Sequence, residues 1–145
     1  MTESKYGKYI ITEAIPHMFN APGEDKEANR QRLDVVNLND DIIPGAPLVE
    51  CSWKMPSDLL LEQKTIEPHC HDFDEIMVNI GSDPNNRHDL GAETIFWLGG
   101  EKHVINKSHI MYIPKGLVHG PGTFTRIDRP VIHFAFAVGK KYKSR

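Results

Sequence analysis

Residues 68–75 read Pro-His-Cys-His-Asp-Phe-Asp-Glu, and residues 114–119 read Pro-Lys-Gly-Leu-Val-His. In an extended chain successive side chains alternate between two faces. On a strand His69 and His71 therefore share one face, while Cys70 turns to the other and packs. Glu75 follows past a bend, at the entry to the next strand. The Pro114-x-Gly116 pattern sets a turn that leads into a strand carrying His119. Three imidazoles and one carboxylate suit a borderline divalent cation. Neutral imidazole offers a nitrogen lone pair at neutral pH, and the carboxylate offsets part of the metal charge. The competing reading, histidines that are merely satisfied polar groups in a fold that has lost its metal, predicts a missing ligand; all four positions are filled.

Working outward, short apolar runs alternate with turn signals: 48–55, 59–66, 73–80, 94–98, 102–106, 109–113 and 131–138. Gly99-Gly100 between two of them fits a two-residue hairpin turn at positive φ. Such spacing predicts an all-β sandwich or barrel, and no segment carries the apolar period of a long helix. Shorter strands are expected at 9–12 and 34–38, with a short helix or loop over the polar residues 21–32. The stretch 81–91 (GSDPNNRHDLG) is long and polar for a hairpin and reads as a solvated loop sooner than a binding lid. In 131–138, Ile132, Phe134, Phe136 and Val138 share one face, and His133, Ala135 and Ala137 share the other. The larger apolar face should be the buried one, which puts His133 outside. By the same logic Trp53 and Met55, on a face with Cys51 and Val49, are expected in the core. His17, His88, His103 and His109 read as solvated or surface residues.

The two histidine segments together resemble the motifs of the cupin superfamily, His-x-His-x3,4-Glu-x6-Gly and Pro-x-Gly-x2-His-x3-Asn. His69, His71 and Glu75 match the first, whose closing glycine, Gly81, comes one residue early. Pro114, Gly116 and His119 match the second, with Thr123 where Asn is usual and Ser108 where a leading Gly is usual. None of these departures touches a candidate ligand. The resemblance implies a single-domain cupin-type β-barrel, a double-stranded β-helix or jelly roll, over 48–138. An N-terminal arm and connecting segment (1–47) would precede it and a basic tail (139–145) follow it.

The resemblance also implies one divalent transition metal ion per chain (Fe, Mn, Ni or Zn), held by His69, His71, Glu75 and His119. Small cupins include dioxygenases, isomerases, decarboxylases, other lyases and non-catalytic sensors. The expectation is a metal-dependent enzyme acting on a small oxygenated organic compound. Dioxygenase-like oxidation stands ahead of lyase or isomerase chemistry, Glu75 is the catalytic residue, and a small-molecule or metal sensor is the alternative. Cupins often pair sheet on sheet and exchange an N-terminal strand, so a homodimer is expected, with residues 1–20 as the candidate arm.

Charge and cysteine content narrow the setting. The net charge is -3 with a pI near 6.2, so no basic surplus exists to neutralise the phosphates of a nucleic acid. The longest apolar run falls far short of the roughly 20 residues a membrane helix needs. Two cysteines cannot build a disulfide framework, and the first residues are polar rather than signal-like, so a cytoplasmic setting is expected.

Overall fold

The computed structural model describes residues 4–14, 32–56 and 67–137. The strand expected at 59–66, most of the helix-or-loop segment 21–32, His17 and the basic tail lie outside the described residues. Within them are eight strands: β1 Arg32–Leu38, β2 Leu48–Lys54, β3 Glu75–Gly81, β4 Asp89–Leu98, β5 Glu101–Lys107, β6 His109–Ile113, β7 His119–Ile127 and β8 Val131–Ala137. They form two antiparallel sheets, one in the order β1-β2-β8-β3-β6 and one in the order β5-β4-β7. This is the all-β jelly-roll architecture expected, built as two facing sheets; among the described residues the ladders do not close into a continuous barrel. β1, from the segment expected to connect the arm to the barrel, forms the edge of the five-stranded sheet. No helix among the described residues is long and apolar enough to cross a membrane.

The β4–β5 hairpin turns on Gly99 and Gly100 with φ of 56° and 84°, the paired positive values that match the twist of its strands. Residues 9–12 are not the strand expected there: Gly7–Tyr9 make a 3-10 turn and the next residues carry no ladder. The loop after β3 is shorter than its sequence suggests, because β4 already begins at Asp89. Asp83 caps a 3-10 turn at Pro84–Asn86 by accepting from the Asn85 amide. Ser108 ties the loop down, since its hydroxyl accepts from Gly81 N at 3.0 Å and donates to Arg87 O at 2.8 Å. Two of the three positions that depart from the family pattern, Gly81 and Ser108, are thus joined to each other.

Cross-strand register decides which side chains meet. Leu48, Ala137, Glu75 and Ile113 form one row across β2, β8, β3 and β6. Glu50, Ala135, Met77 and Met111 form the next, and Ser52, His133, Asn79 and His109 the third. These rows face the second sheet, where Met77, Met111 and Ile113 pack with Phe96, Leu98 and Ile105. A second apolar cluster, Leu90, Ala92, Ile127 and Val131, fills the far end.

This register overturns two expectations. His133 is buried inside with Ala135 and Ala137, while Phe134 is half-buried and Phe136 exposed on the outer face. On β2 the buried residues are Leu48, Glu50 and Ser52; Val49, Cys51 and Trp53 point outward and Met55 lies past the strand, all half-buried. The larger apolar face of the five-stranded sheet is therefore its outer one, with Ile80, Ile110, Tyr112 and Phe136 in solvent. The rule that apolar faces turn inward assumes one partner layer per sheet, and the inner face here carries a polar row beside its apolar side chains.

Candidate metal centre

His69 and His71 do not lie on a strand, as the sequence suggested, but on a short connection before β3. His69 makes an isolated bridge with His119, its amide donating to His119 O at 3.0 Å and accepting at its own carbonyl from His119 N at 2.8 Å. Gly116 N donates to His71 O at 2.9 Å. Gly116 holds φ of 81°, a left-handed conformation that a side chain disfavours. Asp74 Oδ1 accepts from Lys115 N at 2.8 Å. That bond, followed by one from the Tyr112 hydroxyl, holds the Asp74 carboxyl below its usual range. The two histidine segments are thereby sewn together through backbone groups. Asp74 and Tyr112 were not legible as fasteners, because nothing in the spacing announces a contact between separate segments.

The four candidate ligands converge. The imidazole nitrogens of His69, His71 and His119 lie within 4.8 Å of one another, so this group could hold a metal ion. Glu75 Oε2 lies 3.2 Å from His71 Nε2 and 3.3 Å from His119 Nε2. Donors sharing one cation at about 2.1 Å stand about 3.0 Å apart at right angles and about 3.4 Å apart at tetrahedral angles. The two Glu75 separations fall between these limits, so Glu75, His71 and His119 fit a small divalent ion; the three imidazole nitrogens stand up to 4.8 Å apart and would draw together on one. His71, Glu75 and His119 are buried and His69 is half-buried.

Backbone carbonyls select the tautomers. His119 Nδ1 lies 2.9 Å from Leu117 O, and His69 Nδ1 lies 2.8 Å from Glu67 O. A carbonyl only accepts, so each Nδ1 carries the proton and each Nε2 lone pair is left for a ligand, the arrangement in which outer partners orient metal-binding histidines. Burial disfavours the His119 imidazolium, but the hydrogen bond to Glu75, the Leu117 carbonyl and the Glu75 charge outweigh it and raise the His119 pKa above its ordinary value. A cation held at Nε2 competes with a proton for the same lone pair.

Aromatic rings wall the centre: Phe73 stacks on His71 at 4.8 Å and 4°, and Phe96 lies 6.4 Å from His119. Cys70 is half-buried with a free thiol. His88 is exposed and His103 half-buried with a largely exposed ring. His109, expected at the surface, instead hydrogen-bonds Asn79 from a half-buried position.

No protein-family model matches the sequence, and no curated protein matches it. Solved structures do resemble it. The polyketide cyclase RemF from Streptomyces resistomycificus is similar over 100% of this chain and 84% of its own, at 13% identity and a TM-score of 0.50. Oxalate oxidase in complex with the substrate analogue glycolate is similar over 91% of this chain and 64% of its own, at 14% identity and a TM-score of 0.50. An RmlC-like cupin from Shewanella frigidimarina aligns over 88% of this chain and 91% of its own, at 11% identity and a TM-score of 0.43. At such identities the likeness speaks to the fold alone. With two facing antiparallel sheets around both histidine segments, the chain shares the fold of the polyketide cyclase RemF and of oxalate oxidase.

Proposed function

We propose that this chain is a divalent-metal-dependent cupin enzyme that acts on a small oxygenated organic compound, with His69, His71, Glu75 and His119 as the metal ligands. The observation that carries the reading is the convergence of Glu75 Oε2 with the Nε2 atoms of His71 and His119 in a buried site. Four protein donors on a cation that accepts six leave two places for a chelating substrate or water, whereas a structural zinc site closes with four. When bound, the metal supplies Lewis acidity and the means to activate water or dioxygen.

The chain supplies the rest. The carbonyls of Glu67 and Leu117 hold His69 and His119 in one tautomer. Phe73 and Phe96 keep bulk water from the rings. The Glu75 carboxylate lowers the charge of the centre and, at Oε2, can take a proton from a substrate carbon or hydroxyl as a general base. Oxidation of the dioxygenase type stands ahead of lyase or isomerase chemistry. Metal analysis of purified protein, with turnover screens of hydroxy acids, keto acids and catechol-like compounds in air and without oxygen, tests the reading. A compound that binds tightly and is never consumed under either atmosphere supports the second reading, a small-molecule sensor.

The homodimer belongs to this proposal. The exposed apolar side chains of the five-stranded sheet, Ile80, Ile110, Tyr112 and Phe136, form one outer face that a second copy can cover. Patches of this kind on a small soluble domain mark association surfaces.

A further inference from the structure

The third row of the five-stranded sheet's inner face, Ser52, His133, Asn79 and His109, is polar and buried at its first three positions. It begins four residues along β3 from Glu75, about 13 Å at the rise of an antiparallel strand. Between the two lies the row of Glu50, Ala135, Met77 and Met111, in which Ala135 of β8 has the smallest side chain.

The hydrogen bonds along the row are determinate. Asn79 Oδ1 lies 2.8 Å from His133 Nδ1 and can only accept, so His133 carries its proton on Nδ1. Asn79 Nδ2 donates to His109 Nε2 at 3.3 Å, and His109 Nδ1 donates to Lys107 O at 2.7 Å. Asn79 is fully engaged. His133 is left with an unprotonated Nε2, and burial, then the charges of Lys54, Arg32 and His109, hold its pKa well below the ordinary value. Directly across the ladder stands Ser52, 1% exposed, whose hydroxyl has no hydrogen-bond partner. In the adjoining row Glu50 is ion-paired with Arg32.

We infer that Ser52 and His133 form a second binding subsite, which takes an alcohol group at the far end of a substrate whose other end reaches the metal centre. An alcohol is the group that satisfies both residues at once: its hydrogen is donated to His133 Nε2 and its oxygen accepts from the Ser52 hydroxyl. A carboxylate has no hydrogen for His133. An ammonium group would be opposed by Arg32 and Lys54. The substrate class is therefore an extended hydroxy acid, with its acidic end at the metal and a hydroxylated tail that passes Ala135. This inference rests on the metal-centre reading.

The test is calorimetric binding to Zn(II)-loaded protein, which is redox-inert, of three acids. Lactate probes the metal end alone. Glucoheptonate carries hydroxyls along a seven-carbon chain, and 2-hydroxyheptanoate has the same length and head without the distal ones. The expected result is glucoheptonate binding at least tenfold more tightly than 2-hydroxyheptanoate. Ser52→Ala, which removes only the orphaned oxygen, and His133→Phe should abolish that preference and leave lactate affinity unchanged. Equal binding of the two long acids by the wild type, as when a water alone serves the pair, overturns the inference, and so does a preference that survives Ser52→Ala. Lactate binding without a long-acid preference sinks the subsite and spares the metal centre; failure of all three acids to bind sinks both.

Discussion

Glu75 Oε2 stands 3.3 Å from His119 Nε2, although one residue opens β3 in the five-stranded sheet and the other opens β7 in the three-stranded sheet. The contact therefore spans the two layers of the sandwich. It also fixes what competes with a metal: His119 Nδ1 is committed to Leu117 O, so Nε2 reaches the carboxylate through a proton only as an imidazolium.

Metal affinity should follow from that competition. The His119 pKa is raised in the metal-free protein, so below it binding must displace a proton, and affinity climbs with pH until His119 has deprotonated, then levels off. Competition titrations against a chelator at several pH values measure this. An affinity that does not change with pH between 5.5 and 8 would contradict the assignment of His119.

Replacing His71 or His119 with Ala should weaken metal affinity by at least about tenfold, the scale seen for loss of even a supporting group. Cys70→Ala should leave affinity nearly unchanged, because its thiol is not among the clustered donors. Metal content after dialysis reads both.

Glu75→Gln keeps the shape and an oxygen donor but removes the charge. Metal and ligand binding should persist, while turnover of a confirmed substrate falls by about a hundredfold, the usual scale for a positioned acid–base group. Unchanged turnover would remove Glu75 from the chemistry.

His133 predicts an acid-sensitive fold. In the unfolded chain it takes up a proton near pH 6.5, but in the folded protein it stays neutral well below that value. The unfolded state thus binds more protons as pH falls through 6.5, and stability declines by up to about 1.4 kcal/mol per pH unit until the folded pKa is reached. The charged neighbours that act on it, Lys54, Arg32 and His109, face it in both variants. Urea denaturation of wild type and His133→Gln at pH 7.5 and 5.5, both metal-free, should show the smaller pH dependence in the variant.

Gly81→Ala should destabilise the fold by about 3 kcal/mol or more, since the added Cβ would lie 2.0 Å from the Asp89 carbonyl oxygen and neither backbone can yield easily. Gly100→Ala meets no atom and should cost only the left-handed strain of about 1–2 kcal/mol. Thermal denaturation ranks the two. On the outer face, Ile110→Lys with Phe136→Lys should turn a dimer into a folded monomer by light scattering, because both side chains are exposed in the single chain.

The local chemistry was legible from residue order. The spacing of His69, His71 and Glu75, and the Pro114-x-Gly116 turn before His119, are short-range patterns, and each reports the donor it carries. Strand positions were legible for the same reason: β1, β2, β5, β6 and β8 lie within a residue or two of their apolar runs. β7 was announced only by its first residue, because Gly120, Pro121 and Gly122 interrupt any alternation.

What residue order could not decide is which side of a strand becomes inner. Alternation in β8 separates Phe134 from His133, yet the sign of that separation depends on the partners that register brings alongside. Ser52 and Asn79 flank His133 in the ladder, and Asn79 links His133 to His109 by hydrogen bonds inside the sandwich. The sequence by itself determined the candidate donors and the all-β class, since both are written within a few consecutive residues. Only the tertiary structure decided that Glu75 meets His119 and that the polar row is buried, because the first depends on how the two sheets face each other and the second on cross-strand pairing, both between segments far apart in the chain.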